Sequence, residues 1–510
     1  MKSIGYSLFF LLLSLTSFSL AAQSDPTGFD YCGYHDKSDW LVRYQAGEFP
    51  RGEKSNAIRY VPLNIVFTGN DDGGQRQSPR KFLESMQLLN QDFRAQNIQF
   101  YISGRIQYVN NSSYNDHNSQ TGADLRARHR RNGHINTYFV ANPNGNCGYY
   151  SPNFEGVVNN QSCTGGLDRT WAHEMGHYLS LPHTFFGWES VGSIDSIKLD
   201  EPAPASIRFR GTNIPVERVN GSNCEQAADG FCDTTPDYLM QRWGCNGARE
   251  YPDSLLDPDS TRFAVPAFNI MSYAFDQCVN GFTQDQQDAM FANLDSRRTL
   301  IRPTTIDTFA ADVADFSIIS PPDRTRLPFG NPVTFQWNSV PNADFYAIEV
   351  NQNSNFEGAV AYTTVVYDTT LVLDNILQES RLYYWRVRPV NNFTVDGEFS
   401  DIFAFRNGRG QAPPSATIDA GFNAALTIAP NPVAGGMTLN VDAIDLASNG
   451  TLDYELIDAT GRQVYQRAGI VVTSRSFSER IPTAGLSAGM YFLRLRLNGK
   501  LVTRRVIVTP

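Results

Sequence analysis

The sequence has few histidines, few cysteines, a deficit of basic residues and no long apolar run after its N-terminus. The last two features exclude classes of protein. Only 7 of its 510 residues are histidine, and none of its 7 cysteines lies beyond residue 278. Basic residues are outnumbered, with 42 Lys and Arg against 52 Asp and Glu, and the net charge of −10 argues against a nucleic-acid-binding protein. No apolar run after the N-terminus is long enough to span a membrane. A hydrophobic content of 41% nevertheless excludes a wholly disordered chain.

The N-terminus has the three parts of a secretory signal peptide. Lys2 supplies positive charge, residues 8–13 (LFFLLL) form an apolar stretch, and Ala21-Ala22 offers a small-residue cleavage site. The apolar stretch is too short for a membrane anchor. We therefore predict a signal peptide at 1–22 and export to a compartment where disulfides can form.

The remaining chain is long enough for about three domains, at roughly 150 residues each. Residues 23–55 are predicted to be a propeptide, and residues 56–302 mix strand and helix patterns. Within the latter, strands are predicted at 60–67, 100–106 and 135–140, and Ser78-Pro79 is predicted to begin a helix. The pattern indicates an α/β (α+β) domain.

Beyond residue 300 the composition favours β-structure alone. Short β-rich runs alternate with Gly, Pro and Asn turns, which predicts two all-β sandwiches at 316–407 and 420–510. Strands of the first are expected at 335–337, 345–350 and 383–387, with Trp337 and Trp385 in its core. Residues 316–407 resemble a fibronectin type III module.

Three of the seven histidines lie together at 173–183, in the stretch WAHEMGHYLSLPHTF. On a helix, His173 and His177 project from one face, which lets two imidazoles bind one ion. Pro182 should end the helix, so that the chain can turn and bring His183 back as a third ligand. Three imidazoles suit Zn²⁺ and leave one position for water, from which Glu174 can take a proton as general base.

These residues resemble the metzincin zinc peptidases, and among them the pappalysin family. The similarity rests on HEMGHYLSLPH, on NIMSY around Met271, on the loop at 232–234 (CDT) and on residues 278–290. It implies that Met271 lies beneath the zinc and that Tyr273 stabilises the oxyanion; for Tyr273 an ordinary packed tyrosine is the alternative. Proximity and the resemblance together favour three disulfides among the fifteen pairings that six cysteines allow: Cys147–Cys163, Cys224–Cys232 and Cys245–Cys278.

Several further expectations concern single residues. The family usually has glycine where this chain has Ser180, and glycine eases the sharp turn after the helix.

Cys32, the unpaired cysteine, lies in the predicted propeptide, and the resemblance implies that its thiolate caps the zinc of a latent precursor; an incidental or differently paired cysteine is the alternative. Asp276 is expected to favour Arg or Lys after the scissile bond, unless it is a surface charge.

A calcium site is a separate expectation. Ca²⁺ prefers oxygen ligands such as the acidic and carbonyl groups around 229–237. The resemblance supports calcium there, and Asp233 and Thr234 are the predicted ligands. The alternative is a solvated acidic loop.

The C-terminal unit resembles the sorting domain of the bacterial type IX secretion system. The similarity rests on Pro430-Asn431-Pro432, on LIDATGRQVY at 456–465 and on LSAGMYFLRLRLNGK at 486–500. It implies that secretion machinery is a partner, and that the protein is secreted or attached to the bacterial cell surface.

Together these features predict a secreted zinc endopeptidase that acts on proteins or peptides. The alternative is a surface adhesin whose peptidase-like domain is inactive. Glu174 argues against the adhesin, because a structural zinc site needs no general base. An intracellular zinc-binding regulator conflicts with the signal peptide.

Overall fold

The computed structural model of the protein describes most of the chain after the predicted signal peptide, which itself lies outside the described residues. The described ranges are 30–50, 57–191, 197–297, 299–303, 306, 309–312, 316–328, 332–357, 360–373, 376–378, 380–395, 397–408, 425–444, 450–458, 462–473, 476–497 and 500–509. Among these residues no helix is long and apolar enough to cross a membrane.

The N-terminal domain is built on a seven-stranded mixed sheet. Its strands are β1 (Asp30–Cys32), β2 (Arg59–Gly69), β3 (Ile98–Ile102), β4 (Gln107–Asn110), β6 (Ile135–Val140), β8 (Asn146–Ser151) and β9 (Gly156–Asn160), while β5 (Asp116–His117) pairs with β7 (Asn142–Pro143) separately. The order is β1-β8-β9-β6-β2-β3, with β4 also paired to β2. Strands β2, β6 and β9 are parallel neighbours, whereas β8 runs antiparallel to β9.

The strand predictions hold at the centre of this sheet. Every residue of β2 from Val61 to Gly69 is buried, and so is all of β6, because central strands of a mostly parallel sheet are covered on both faces. The strand expected at 100–106 is shorter than predicted. It ends at Ile102, since Gly104 takes a φ of +85° and turns the chain away from the sheet.

Six α-helices accompany the strands in the described residues: α1 (Asp39–Gln45), α2 (Pro79–Asp92), α3 (Ser112–Asn115), α4 (Ser119–His129), α5 (Thr170–Tyr178) and α6 (Gln284–Ser296). Single turns of 3-10 helix lie at Arg94–Gln96 and Trp188–Ser190. Helix α2 begins at Pro79 as predicted, and its apolar face is buried in the core against the sheet and α5.

The loops after α5 carry little regular structure. They contain the hairpins β10 (Ser206–Phe209) with β11 (Thr212–Pro215) and β12 (Leu255–Leu256) with β13 (Arg262–Phe263). Disulfides join Cys224 to Cys232 and Cys245 to Cys278 within this region, and Cys147 to Cys163 beside the sheet. This is the pairing that proximity and the family resemblance favoured.

Two all-β units follow, each made of a three-stranded and a five-stranded sheet. The first has β14 (Ile318–Ser320), β15 (Thr325–Leu327), β16 (Val333–Trp337), β17 (Phe345–Asn351), β18 (Tyr362–Val366), β19 (Thr370–Leu373), β20 (Leu382–Val390) and β21 (Phe403–Asn407). The second has β22 (Ala425–Ala429), β23 (Val433–Ala434), β24 (Thr438–Ile444), β25 (Gly450–Asp458), β26 (Gln463–Val472), β27 (Phe477–Pro482), β28 (Gly489–Leu497) and β29 (Lys500–Thr509). Trp337 and Trp385 are fully buried in the first unit, as expected.

Candidate metal centre

Helix α5 and the turn after it bring three histidines to one point. His173 and His177 lie one turn apart on α5 and are fully buried. The helix ends at Tyr178, and Ser180 then adopts a φ of +80°, while the N–H of Leu181 donates to the carbonyl of Gly176 at 3.0 Å. This tight reversal returns His183 to the same site.

The hydrogen bonds of the three rings fix which nitrogen faces the centre. Nδ1 of His173 lies 2.7 Å from the carbonyl oxygen of Ile270, and Nδ1 of His177 lies 2.7 Å from that of Leu181. Because a carbonyl oxygen only accepts, each Nδ1 carries the hydrogen and each Nε2 presents a lone pair.

His183 is oriented in a different way, by a carboxylate. Its Nδ1 lies 3.0 Å from Oε1 of Glu189, which sits in the 3-10 turn six residues later. Glu189 is not among the predicted site residues, because one acidic residue after the motif carries no signal of its own. Metal-binding histidines commonly donate their second nitrogen to such a carboxylate, which holds the ring and strengthens the ligand.

The three Nε2 atoms form a triangle whose sides are all 3.2 Å. Tetrahedral zinc with Zn–N bonds of about 2.0–2.1 Å separates ligand nitrogens by about 3.3–3.4 Å, so the donor set fits this ion. Burial lowers the pKa of His173 to about 3 and the pKa values of His177 and His183 well below their ordinary value. The rings are therefore neutral, as metal ligands must be.

Cys32 supplies a fourth donor atom. Its Sγ lies 3.4 Å from Nε2 of His177, and its sulfur and the three histidine nitrogens all lie within 4.8 Å of one another. The backbone N–H of Tyr34 donates to the sulfur at 3.3 Å. Strand β1 holds the cysteine in place, because it pairs in parallel with β8 and sets Cys32 opposite Gly148.

Glu174 lies beside the histidines and is fully buried. Within the described part of the chain neither of its carboxylate oxygens has a hydrogen-bond partner, and burial raises its pKa to about 8. A buried carboxylate without a donor is costly unless it serves a function. Glu174 thus lies directly beside the metal-type donor set.

Two glycines that sequence reasoning did not single out make room for these side chains. A Cβ at Gly148 would lie 2.8 Å from Cγ of Glu174, so β8 can pass the helix here only as glycine. A Cβ at Gly176 would lie 2.4 Å from Sδ of Met271. Met271 thus packs against α5 at Gly176, which lies between His173 and His177 in sequence. The carbonyl oxygen of Ile270, the residue before Met271, accepts a hydrogen bond from His173 and orients its ring.

Tyr273 lies over the histidines. Its ring centroid is 4.9 Å from that of His183 and 5.9 Å from that of His173. The hydroxyl donates to the backbone carbonyl oxygen of Cys32 at 3.5 Å. The phenol therefore already points toward a peptide carbonyl at the centre.

Asp276 lies near the centre but is not a free carboxylate. Its Oδ2 accepts from Nη2 of Arg242 at 2.5 Å, and its Oδ1 accepts from the backbone N–H of Arg169 at 3.0 Å. The expectation that Asp276 attracts a basic substrate side chain stays a prediction. Its negative charge is already balanced by the partly buried guanidinium of Arg242, whose side chain is 11% exposed.

The acidic loop around 229–237 is partly buried. Asp233 is exposed and accepts from the backbone N–H of Asp285 at 2.8 Å, while the hydroxyl of Thr234 donates to Oδ1 of Asp229 at 3.1 Å. Oδ2 of Asp229 and Oε2 of Glu217 are buried without a hydrogen-bond partner among the described residues. Burial, and then the nearby Asp229 and Asp237, raise the pKa of Glu217 to about 9.

Comparison with known proteins finds a matching family model and similar curated proteins. The family described as "Secretion system C-terminal sorting domain" matches residues 427–509. An "Extracellular metalloprotease" of Colletotrichum graminicola is 23% identical over 307 residues, which cover 54% of this chain and 94% of that protein. Two proteins of the same name, from Arthroderma benhamiae and Trichophyton verrucosum, are each 24% identical over 252 residues, which cover 45% of this chain and 71% of theirs.

Solved structures are similar only at a low level. Fibronectin(III)-like modules of Clostridium thermocellum CbhA match 38% of this chain and 94% of their own at 9% identity, with a TM-score of 0.15. The sequence matches carry more information. The chain has a C-terminal sorting domain that implies a secretion machinery, and it is a secreted or cell-surface protein.

Proposed function

We propose that this protein is a zinc-dependent endopeptidase, secreted or held at the cell surface, in which His173, His177 and His183 hold the metal. The observation that carries the proposal is the triangle of three Nε2 atoms, 3.2 Å on each side, with the unpartnered carboxylate of Glu174 beside it. Similarity to proteins named extracellular metalloproteases supports the same class. Zinc bound there would supply a Lewis acid for peptide hydrolysis.

Three side chains of the protein have separate roles in the proposed hydrolysis. Glu174 takes a proton from the attacking water and delivers it to the leaving amine nitrogen. Tyr273 donates its hydroxyl hydrogen to the carbonyl oxygen on which negative charge develops, because that hydroxyl already donates to a peptide carbonyl in the site. Met271 supports α5 from below, and Gly176 leaves space for its sulfur.

The edge of the sheet offers a place for an extended substrate. Among the described strands, the one that pairs with the outer side of β8 is β1, which comes from the predicted propeptide. Removal of β1 would free the backbone N–H and C=O groups of β8 next to Glu174. An extended peptide can bind to such an edge as an added strand, with its scissile bond at the metal centre.

The same strand makes the precursor inactive in this proposal. Cys32 Sγ, 3.4 Å from Nε2 of His177, would take the fourth position around the metal, where the attacking water must bind. A cysteine thiolate is a strong ligand for zinc, so it would exclude water until β1 is released. Cleavage of the chain after Cys32 would then activate the enzyme.

We also propose a structural calcium ion in the 229–237 loop, with Asp233 and Thr234 among its ligands. The buried oxygens of Asp229 and Glu217 that lack a hydrogen-bond partner support this, since Ca²⁺ prefers carboxylate oxygens and Lys37 is the cation now in electrostatic contact with Asp229. Asp233 accepts one backbone hydrogen bond through Oδ2, and Asp229 and Glu217 would complete the ligand set beside Asp233 and Thr234. Added Ca²⁺ should raise the melting temperature of the full chain, and a Glu217→Gln variant should lose that gain.

Metal removal and replacement test the main proposal. We would express the full chain with Cys32→Ala, measure its zinc content, and follow cleavage of a protein mixture by mass spectrometry of the new termini. Chelation should abolish cleavage, and added Zn²⁺ but not Mg²⁺ should restore it. His177→Ala should lose both zinc and cleavage, whereas His129→Ala, on α4 outside the site, should keep both.

Two results would contradict the proposal. Cleavage that survives complete metal removal would exclude a metalloenzyme. A zinc-loaded chain that cuts no protein or peptide, even after limited proteolysis of its N-terminal segment, would favour the adhesin with an inactive domain.

A further inference from the structure

One strand of the first β unit, the unit formed by β14 to β21, is buried on both of its faces. Every residue of β17 is buried, whereas an antiparallel strand with one solvated face alternates buried and exposed residues. Tyr346, Ile348 and Val350 pack in the core of the unit itself. Phe345 and Ala347 lie on the other face and belong to the apolar core of the N-terminal domain. A single strand therefore contributes to two cores.

Apolar side chains of neighbouring strands extend this contact. Val365 on β18, Val390 on β20 and Val395 in the loop after β20 lie in the same core as the apolar face of α2. Val395 is fully buried although its φ is +47°, a backbone conformation that is rare for β-branched residues. Its carbonyl oxygen accepts from Nε2 of Gln87 on α2 at 3.3 Å. The loop thus keeps an unfavourable conformation where it packs against the N-terminal domain.

Hydrogen bonds and a stacked pair of rings join the same loop to β3, an edge strand of the seven-stranded sheet. The N–H of Ile102 donates to the carbonyl oxygen of Asn392 at 3.0 Å. Nε2 of Gln99 donates to the carbonyl oxygen of Phe393 at 2.9 Å. The ring of Phe393 stacks on that of Tyr101, with centroids 4.4 Å apart and an angle of 7° between the planes. The loop therefore covers an edge that would otherwise offer unpaired backbone groups.

Polar and charged groups also meet across the interface. Glu349 on β17 is 2% exposed, and its Oε2 accepts from Nη2 of Arg386 at 2.7 Å. Its Oε1 lies 3.4 Å from Nε of Arg80 on α2. The backbone N–H of Ile106 donates to the hydroxyl oxygen of Tyr367 at 2.7 Å. Because carboxylates are rarely buried unless they are paired, the N-terminal domain both covers Glu349 and supplies one of its two cations.

Helix α2 connects this interface to the metal centre. Arg80 and Gln87 of α2 contact the first β unit. The ring of Phe82, also on α2, has its centroid 5.8 Å from that of Trp171. Trp171 lies on α5, two residues before His173. The first β unit thus packs against the helix that in turn packs against the histidine helix.

We propose that the first β unit is an integral part of the peptidase, with the N-terminal domain as its binding partner, and that the two unfold as one body. The sheet face that a tethered binding module would offer to an external ligand is already occupied by the N-terminal domain. The inference goes beyond the proposed peptidase function and does not require it, because the interface exists with or without catalysis. It implies that removal of the sorting domain leaves the N-terminal domain and the first β unit together.

A single cut between the two parts tests this in the full chain. We would place the recognition sequence of a specific protease at residues 304–308, where Ile306 is 48% exposed, and cut the folded protein there. The two pieces should elute together in size-exclusion chromatography without denaturant, because they share an apolar core. Ala347→Arg puts a charge into that core and should make the pieces elute separately. Ile402→Arg, at a residue of the same unit that is 45% exposed, is the control and should leave them together.

Separate elution of the pieces with the parent interface would overturn the inference, whether or not the Ala347→Arg variant folds. Joint elution of the pieces in a folded Ala347→Arg variant would overturn it as well, because the shared core would then not hold them together.

A second measurement needs neither a cut nor a variant. Hydrogen exchange followed by mass spectrometry at increasing urea should show β2 and β17 losing protection at the same urea concentration, since elements of one cooperative unit open together. Loss of protection in β17 at a clearly lower urea concentration than in β2, or the reverse, would overturn the inference. Neither measurement uses cleavage of a substrate, so failure of the proposed peptidase function would be seen separately.

Discussion

Sγ of Cys32 lies 3.4 Å from Nε2 of His177, although 145 residues separate the two in sequence. The contact exists because β1 pairs in parallel with β8, the strand next to the histidine helix. A contact of this length matches the spacing of about 3.6 Å expected between sulfur and nitrogen ligands of one tetrahedral zinc. The N-terminal segment and the metal centre therefore form one unit in the full chain.

The first prediction concerns latency. Cys32→Ala should give a full chain that cuts a protein substrate without prior proteolysis, because no thiolate then competes with water for the metal. Val42→Ala, exposed on α1 in the same segment, should remain latent. Equal latency of Cys32→Ala and the parent chain would show that the cysteine does not block the site.

The second prediction concerns Glu189, which orients His183. Glu189→Gln should weaken zinc affinity by about 10- to 100-fold, the usual effect of losing a carboxylate behind a metal-bound histidine. Zinc competition with a chromogenic chelator measures this. Glu201→Gln, an exposed residue paired with Lys198, is the control and should bind zinc as the parent does. Unchanged zinc affinity of Glu189→Gln would show that Glu189 does not strengthen His183 as a metal ligand.

A third prediction uses the close approach of β8 to α5. Gly148→Ala in the Cys32→Ala chain should lower cleavage by at least about tenfold while zinc content is kept, because the added Cβ meets Cγ of Glu174 at 2.8 Å. Gly247→Ala is the control, since a Cβ there meets no described atom within 4 Å. Full activity of Gly148→Ala would mean that Glu174 tolerates displacement and is not a positioned base.

The fourth prediction concerns the turn after α5, where Ser180 holds a φ of +80°. Its hydroxyl accepts from Nδ2 of Asn293 at 2.8 Å, a bond worth about 1 kcal/mol. Ser180→Gly loses the bond but relieves about 1–2 kcal/mol of backbone cost, so its free energy of unfolding should change little. Ser180→Ala loses the bond and keeps the cost, so it should be destabilised by about 1–3 kcal/mol.

Urea unfolding monitored by tryptophan fluorescence distinguishes the two Ser180 variants. The turn lies at the predicted place. Serine stands where the resemblance leads us to expect glycine, and the hydrogen bond from Asn293 on α6 offsets part of the backbone cost. A Ser180→Ala variant as stable as Ser180→Gly would show that Asn293 contributes nothing to the turn.

Local sequence patterns were sufficient for the histidine helix and the central strands. His173 and His177 are four residues apart, and Pro182 follows closely, so the metal triad could be predicted from a stretch of fifteen residues. Assignment to the pappalysin family stays a prediction, because relatives at 23–24% identity carry only the broader name of metalloprotease.

Contacts between side chains far apart in the chain could not be predicted from the sequence. Arg242 and Asp276 meet because two irregular loops run side by side, joined at Trp243 and Ala274, and no motif marks either partner. The prediction for Asp276 treated one carboxylate alone and so missed the guanidinium that balances it. Gly148 and Glu189 were missed for the same reason, since their roles depend on what lies opposite them in space.

The most direct test of the account is a comparison of the Cys32→Ala chain with the same chain carrying Glu174→Gln. Both should contain one zinc per chain by elemental analysis, because Glu174 is not a metal ligand here. Cleavage by the Glu174→Gln chain should fall by about 10²- to 10⁴-fold, the usual contribution of a general base. Equal cleavage rates at equal zinc content would contradict the proposed role of Glu174 and the peptidase mechanism built on it.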